Sequence, residues 1–256
     1  MPPRIKILTY NIHKGMSTSH SRFVLHSMRD ALQQQDADVV LLQEIHGHHI
    51  SWRKNIRNWP DNDQLAFLAD ENWPYRAYGK NAEYRRGHHG NAVLSKIPLH
   101  TWRNIDVSLA RKHSRSLLHA QLQWPHSEVC LHVICVHLGL FHFEREQQLS
   151  VLVRHVAQAI PCHEPVIIAG DFNDWRSRAG RHLHDDAGLR EVFLQQHGKP
   201  AKTFPALLPV LRMDRVYSRG LQVTRSEPLT GTPWRRLSDH IPLLVEFELA
   251  SAGSAC

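Results

Sequence analysis

The sequence has no hydrophobic run long enough to cross a bilayer, and its start, Met1-Pro2-Pro3-Arg4-Ile5-Lys6, has no apolar core of the kind an export signal needs. The expectation is therefore a cytoplasmic protein with no integral membrane segment. Cysteine is scarce: Cys130, Cys135, Cys162 and Cys256 are the only four. They form no CxxC motif and no Cys-His group at zinc-like spacing, so a disulfide framework or a zinc knuckle is not expected. Reduced thiols are. On one strand, Cys130 and Cys135 would point to opposite faces, because their spacing is odd. Cys256 is the last residue rather than the fourth from the end, which excludes a prenylation box. No internal repeat, low-complexity block or linker divides the chain.

What is present is ordinary globular material: 256 residues, 42% hydrophobic and 21% charged. That is enough to bury a large core. A single domain over residues 1–249, followed by a flexible tail at 250–256, is the expected organisation. The net charge of +7 favours partners that carry phosphate, whether nucleic acid, phospholipid headgroup or inositol phosphate. The 21 histidines make any single one weak evidence of function.

Periodicity predicts a strand over Ile5–Tyr10 and a helix over about Ser21–Gln34, with Leu25, Met28 and Leu32 on one face. Val39–Leu42 and Val166–Ala169 are continuous apolar runs, which suit strands covered on both faces. Ala92–Leu94, Leu117–Leu122 and Val129–Leu138 predict further strands. Leu149, Leu152, Val153, Val156 and Ile160 form an amphipathic stripe. Alternation from Ile241 to Leu249 predicts a half-buried strand. Strands outnumber helices, which suits two sheets packed face to face with helices outside. Asn91, Trp59-Pro60 and Trp73-Pro74 read as loop residues. So do the stretches 47–63, 79–89 and 176–186, where substrate specificity would lie.

Polar residues gather where these strands end. Gly170-Asp171-Phe172-Asn173 closes the Val166 strand, Thr9-Tyr10-Asn11 the first, Gln43-Glu44 the second and His137-Leu138-Gly139 the Val129 strand. Met213-Asp214 and Ser238-Asp239-His240 stand just before others. In an antiparallel arrangement, the ends of some strands and the starts of others meet at one rim. Arg115, before the Leu117 strand, reads as a solvated base.

Taken with Gly90-Asn91-Ala92-Val93-Leu94-Ser95, these motifs resemble the endonuclease/exonuclease/phosphatase superfamily, in that family's order and over residues 9–240. The family includes DNase I-like nucleases, abasic-site endonucleases, neutral sphingomyelinases and inositol polyphosphate phosphatases. Asn11-Ile12-His13-Lys14-Gly15 and Gly87-His88-His89-Gly90-Asn91 are most similar to a bacterial branch of it. The resemblance implies an α+β fold of the DNase I type: a four-layer αββα sandwich of two mixed or antiparallel sheets flanked by helices. It also implies metal-dependent phosphoester hydrolysis. Glu44 would bind Mg²⁺, with Mn²⁺ as an alternative, and Asp239 is a further candidate ligand. Asp171 would orient or deprotonate water, and Asn11 and Asn173 would hold phosphate oxygens. Asp214 would pair with His240 and favour its imidazolium, while His137 would contact the phosphate or protonate the leaving oxygen. Abasic-site endonucleases carry Tyr where His137 stands, so a dedicated abasic-site enzyme is disfavoured.

A Mg²⁺-dependent nuclease is the leading functional expectation. A phospholipid or inositol phosphate hydrolase, sphingomyelinase-like, is the alternative, and an anionic phospholipid is its partner. No basic amphipathic helix supports membrane docking. A non-catalytic nucleic-acid-binding module ranks third, because such a module has no use for a metal carboxylate beside an Asp-His pair.

Overall fold

Continuous apolar runs need cover on both faces, and the fold supplies it by stacking two sheets between helical layers. A computed structural model describes residues 3–19, 21–49, 56, 59–60, 63–84, 87–109, 114–176 and 179–250. In chain order the strands are β1 (Arg4–Asn11), β2 (Val39–His49), β3 (Tyr75–Tyr84), β4 (Gly87–Ser95), β5 (Leu99–Asp106) and β6 (Ser116–Gln123). Then come β7 (Cys130–His137), β8 (Val166–Asp171), β9 (Arg190–Glu191), β10 (Asp214–Arg219), β11 (Leu221–Pro228) and β12 (Leu243–Leu249). The helices are α1 (Leu25–Gln35), α2 (Gln64–Ala69), α3 (His142–Ala159), α4 (Ala179–Ala187), α5 (Val192–His197) and α6 (Trp234–Leu237).

Each sheet has six strands, ordered β11-β12-β1-β2-β4-β3 and β5-β6-β7-β8-β10-β9. Both are mixed, with one parallel pair at the centre: β1 with β2, and β7 with β8. A helix crosses over each pair, α1 in the first case and α3 in the second. Strand for strand, the two sheets share one order and one set of directions, although the sequence shows no repeat.

Three apolar layers follow from strand alternation. Ile5, Ile7, Val39 and Leu41 meet Val133, Cys135, Ile167 and Ala169 between the sheets. Leu8, Tyr10, Val40 and Leu42 face the other way, under Leu25, Met28 and Leu32 of α1. Ile134, Val136, Val166 and Ile168 lie under Leu149, Leu152 and Val156 of α3. This is the expected αββα sandwich.

Several local expectations are corrected. Residues 79–89 are not a loop: β3 and β4 pair antiparallel through most of that stretch. Asn91 lies inside β4, fully buried, and its Nδ2 donates to the Ser116 carbonyl at 3.0 Å. Most of 176–186 is α4, and α1 starts at Leu25 rather than Ser21. Trp73 is a core residue whose indole donates to the Ala37 carbonyl at 2.8 Å. Cys130 and Cys135 are free thiols on opposite faces of β7, but Cys162 is disulfide-bonded, against the expectation of reduced thiols throughout. Most of the 47–63 loop, and the tail beyond Ala250, lie outside the described residues.

Candidate active site

Alternation along the strands decides where the polar ends point. On β1, Ile5, Ile7 and Thr9 face the other sheet, and Asn11 continues that face. On β7, Leu131, Val133 and Cys135 lead to His137, and on β8, Ile167 and Ala169 lead to Asp171. Asp214 precedes Val216 on the inner face of β10. Pairing places His137, Asp171 and Asp214 in one row across three neighbouring strands. Asn11 closes the gap between the sheets: its Nδ2 donates to Asp171 Oδ2 at 3.1 Å, and its Oδ1 accepts from the His13 N–H at 3.1 Å.

Glu44 breaks the pattern. It follows inward-facing Gln43, so regular pleating would turn it outward. A bulge between Leu42 and Ile45, with Glu44 itself at φ 58°, redirects the side chain to the rim. There its Oε2 lies 3.4 Å from Lys14 Nζ. Gly170, one residue before Asp171, is needed for a close approach: a Cβ there would run into the Val136 carbonyl, and its φ of 146° disfavours other residues.

His240 arrives from the turn between α6 and β12, which Ser238 fastens by donating its hydroxyl to the Asn11 carbonyl at 2.7 Å. The Asp214 Oδ2 accepts from His240 Nδ1 at 2.8 Å, which leaves Nε2 directed at Asp171 Oδ2, 3.8 Å away. His137 Nε2 stands 3.6 Å from the same oxygen. Both separations exceed a direct hydrogen bond, so an oxygen shared by these groups would sit to one side of the line that joins them. Asn173, at φ 50°, donates its backbone N–H to Asp171 Oδ1 at 2.9 Å and its Nδ2 to the Leu138 carbonyl at 2.9 Å. Each Asn Nδ2 retains a second hydrogen.

Burial and charge set the protonation states. Burial would lower His240, but the Asp214 and Asp171 carboxylates overcome it and raise the pair's imidazolium to about 10. Burial pushes Asp171 up to about 7, and Asp214 adds to that shift. Burial and the Arg115 guanidinium hold His137 well below the usual histidine range, so it is neutral at pH 7. Burial opposes charge on Glu44, yet His137 first, then Lys14, His13 and His240, bring the carboxyl down to about 2.

A hard cation needs carboxylate oxygen with spare coordination, and Glu44 meets that requirement. It is ionised at any working pH, and the one contact of its buried Oε2 among the described residues is the 3.4 Å ion pair with Lys14, which a cation could replace. Asp239 is less committed to such a role: its Oδ1 accepts from Ser238 at 3.3 Å and lies 3.8 Å from His13 Nδ1. Among the described residues, neither joins a group of three potential ligand atoms within 4.8 Å, whereas Asp171, Asp214 and His240 do.

Two residues were undervalued from sequence. Lys14 stands three residues past the end of β1, and nothing in its spacing marks it as facing Glu44. Arg115 is not simply a solvated base: its Nε donates to the Leu138 carbonyl at 3.3 Å, beside His137.

The fold and this rim define a class of protein. A model of the Endonuclease/Exonuclease/phosphatase family matches residues 8–240, and the chain belongs to that family. The uncharacterized protein YbhP of Escherichia coli K12 is 45% identical over 244 residues, 95% of this chain and 96% of that one. Among solved structures, an endonuclease/exonuclease/phosphatase from Beutenbergia cavernae matches with TM-score 0.75 at 18% identity, covering 98% of this chain and 72% of that one. A TDP2 from D. rerio complexed with a single-strand DNA product matches with TM-score 0.70 at 19% identity, covering 96% and 99%. At such identities the structural matches bear on the fold.

Proposed function

We propose that this protein is a metal-dependent phosphodiesterase, with nucleic acid as its leading substrate class. The observation that carries the reading is the rim itself: the His240 imidazolium, hydrogen-bonded to Asp214, faces the buried Asp171 carboxylate at 3.8 Å, on the rim that also carries the ionised Glu44 carboxylate. Asp171, with its raised pKa, accepts a proton from water near neutral pH, and Asn11 and the Asn173 N–H fix its two oxygens. His240 stabilises charge that develops on the phosphate, and Asp214 holds it charged and oriented. Neutral His137 contacts the phosphate as an N–H donor. Glu44, with Asp239 as a further candidate, would hold Mg²⁺ or Mn²⁺, which when bound supplies Lewis-acid stabilisation of the phosphoryl oxygens.

Nucleic acid is favoured by a groove of about 540 Å³ beside the rim, lined by Arg22, Arg235, Arg236 and the hydroxyls of Ser17 and Thr18. Thr18 ties it to the site by donating to the Ser238 carbonyl at 2.6 Å. Three guanidinium groups and several hydroxyls suit a backbone that carries further phosphates. The D. rerio TDP2 complex with single-strand DNA lends this support from a related fold. A lipid phosphodiester is the second reading, favoured by Leu140, Phe141 and Phe143, which are 56%, 62% and 71% exposed just past His137. Among the described residues, no helix is long and apolar enough to cross a membrane. Free Cys130 and Cys135 accord with the cytoplasmic setting we propose, and the disulfide at Cys162 does not.

The test is turnover of bis-p-nitrophenyl phosphate, single- and double-stranded DNA, RNA, sphingomyelin and inositol phosphates, with and without EDTA. Hydrolysis that EDTA abolishes, and that falls by about 10²–10³ in Glu44→Ala and His240→Ala, is expected. Equal rates in wild type and both variants would overturn the assignment of this site, and no turnover of any substrate would leave a binding module. Turnover of lipid alone would replace nucleic acid with the second reading.

A further inference from the structure

At the opposite end of β7 from His137, about 17 to 24 Å along the strand, lies a polar cluster with no part in the site above. Cys130 and His132 share the outer face of β7, and Glu164 sits in the turn that leads into β8. One ligand atom from each lies within 4.8 Å of the others. Cys130 Sγ is 3.7 Å from His132 Nε2, and Glu164 Oε2 is 2.5 Å from that nitrogen. Behind His132 stands a string of rings: its Nδ1 is 2.9 Å from His119 Nε2, and His119 Nδ1 is 2.9 Å from His155 Nε2 on α3.

We propose that Cys130, His132 and Glu164 form a second cation site, which takes Zn²⁺ or a similarly borderline-soft divalent ion. A thiolate, an imidazole and a carboxylate are a zinc-type donor set, whereas Mg²⁺ prefers oxygen alone. The geometry is close to what such an ion needs. Tetrahedral zinc with ordinary bond lengths sets sulfur and nitrogen ligands about 3.5 Å apart, near the spacing of Cys130 and His132. Nitrogen and oxygen ligands would be about 3.3 Å apart, so Glu164 must draw back by under about 1 Å. It can do so, because its side chain is 24% exposed while that of His132 is 2% exposed. Solvent access at Cys130 and Glu164 leaves a route for the ion and room for a fourth ligand.

The histidine string completes the site. A metal on His132 Nε2 requires its proton on Nδ1, which His119 Nε2 then accepts, while His119 Nδ1–H donates to His155 Nε2. All three rings stay neutral in that arrangement, and burial already disfavours the charged form of His119 and His155. Zinc there would staple the start of β7 to the turn before β8. It would thus brace the parallel pair β7 and β8, whose far ends carry His137 and Asp171.

The experiment titrates Co²⁺, as a coloured substitute for Zn²⁺, into the full chain carrying Glu44→Gln, so that the carboxylate proposed for the catalytic cation is absent. One Co²⁺ per chain with an ultraviolet thiolate-to-cobalt charge-transfer band, displaced by Zn²⁺, is expected. Cys130→Ser should abolish the band, and His119→Gln should weaken binding about 10- to 100-fold. Cys130→Ser is nearly isosteric and touches no catalytic group, so its turnover in an otherwise wild-type chain should be unchanged. Glu164→Gln is an independent variant, expected to weaken binding at least tenfold with the fold intact. Saturable Co²⁺ binding without a thiolate band, or a band that survives Cys130→Ser, would overturn the assignment.

Discussion

His240 owes its charge to Asp214 more than to any other group, because burial by itself would discharge it. Asp214→Asn should therefore let the imidazole lose its proton at much lower pH, a change that NMR titration of the labelled ring reads directly. The linkage has a definite sign. His240 has a folded pKa near 10, above its unfolded value, so the pair's contribution to stability is complete below about pH 6.5 and fades as pH rises toward 10. Thermal melts of wild type and Asp214→Asn should accordingly differ most in mild acid and converge in base. Sequence placed Asp214 and His240 together only through resemblance to a family, since 26 residues separate them. Their neighbours on the rim were more legible, because strand alternation alone points Asn11, His137 and Asp171 inward.

Alternation failed at Glu44, and the reason is local to β2. A bulge has no signature in Leu42-Gln43-Glu44-Ile45, where the residue that adopts positive φ is neither Gly nor Asn. Two substitutions separate backbone from chemistry here. Glu44→Gly and Glu44→Ala should both lose activity, yet the glycine variant should be the more stable by about 1 kcal/mol, since its backbone accepts that φ without strain. Gly170→Ala should cost roughly 2–4 kcal/mol in chemical denaturation, because the methyl meets backbone of the parallel neighbour β7 rather than a side chain that could move. The long strands and the two crossover helices were legible from apolar periodicity. Edge elements were not: β5 is mostly exposed, β11 has no fully buried residue, and both carry little periodic signal. Strand β3 belongs to a stretch whose Gly79 and Asn81 imitate a loop.

Across the whole molecule, charge is positive by seven, and Arg22, Arg235 and Arg236 bring part of it to the side of the rim. With a DNA oligonucleotide as substrate, log KM should rise with log salt. The paired substitution Arg235→Ala, Arg236→Ala should reduce that slope by about 1 to 2, with kcat little changed. A small diester such as bis-p-nitrophenyl phosphate should show neither effect, because it cannot reach both the rim and the groove. The matching order of the two sheets has a consequence for wear and repair of the catalyst. Asn11, His137 and Asp171 are the last inward positions, and Asp214 the first, of strands that elsewhere hold the inter-sheet core together. The rim is thus the open seam of a closed book, and the slightest parting of the covers widens the seam before any page comes loose. Warming should silence turnover several degrees before the spine gives way, so lost catalysis would be the earliest gauge of a slackening interior.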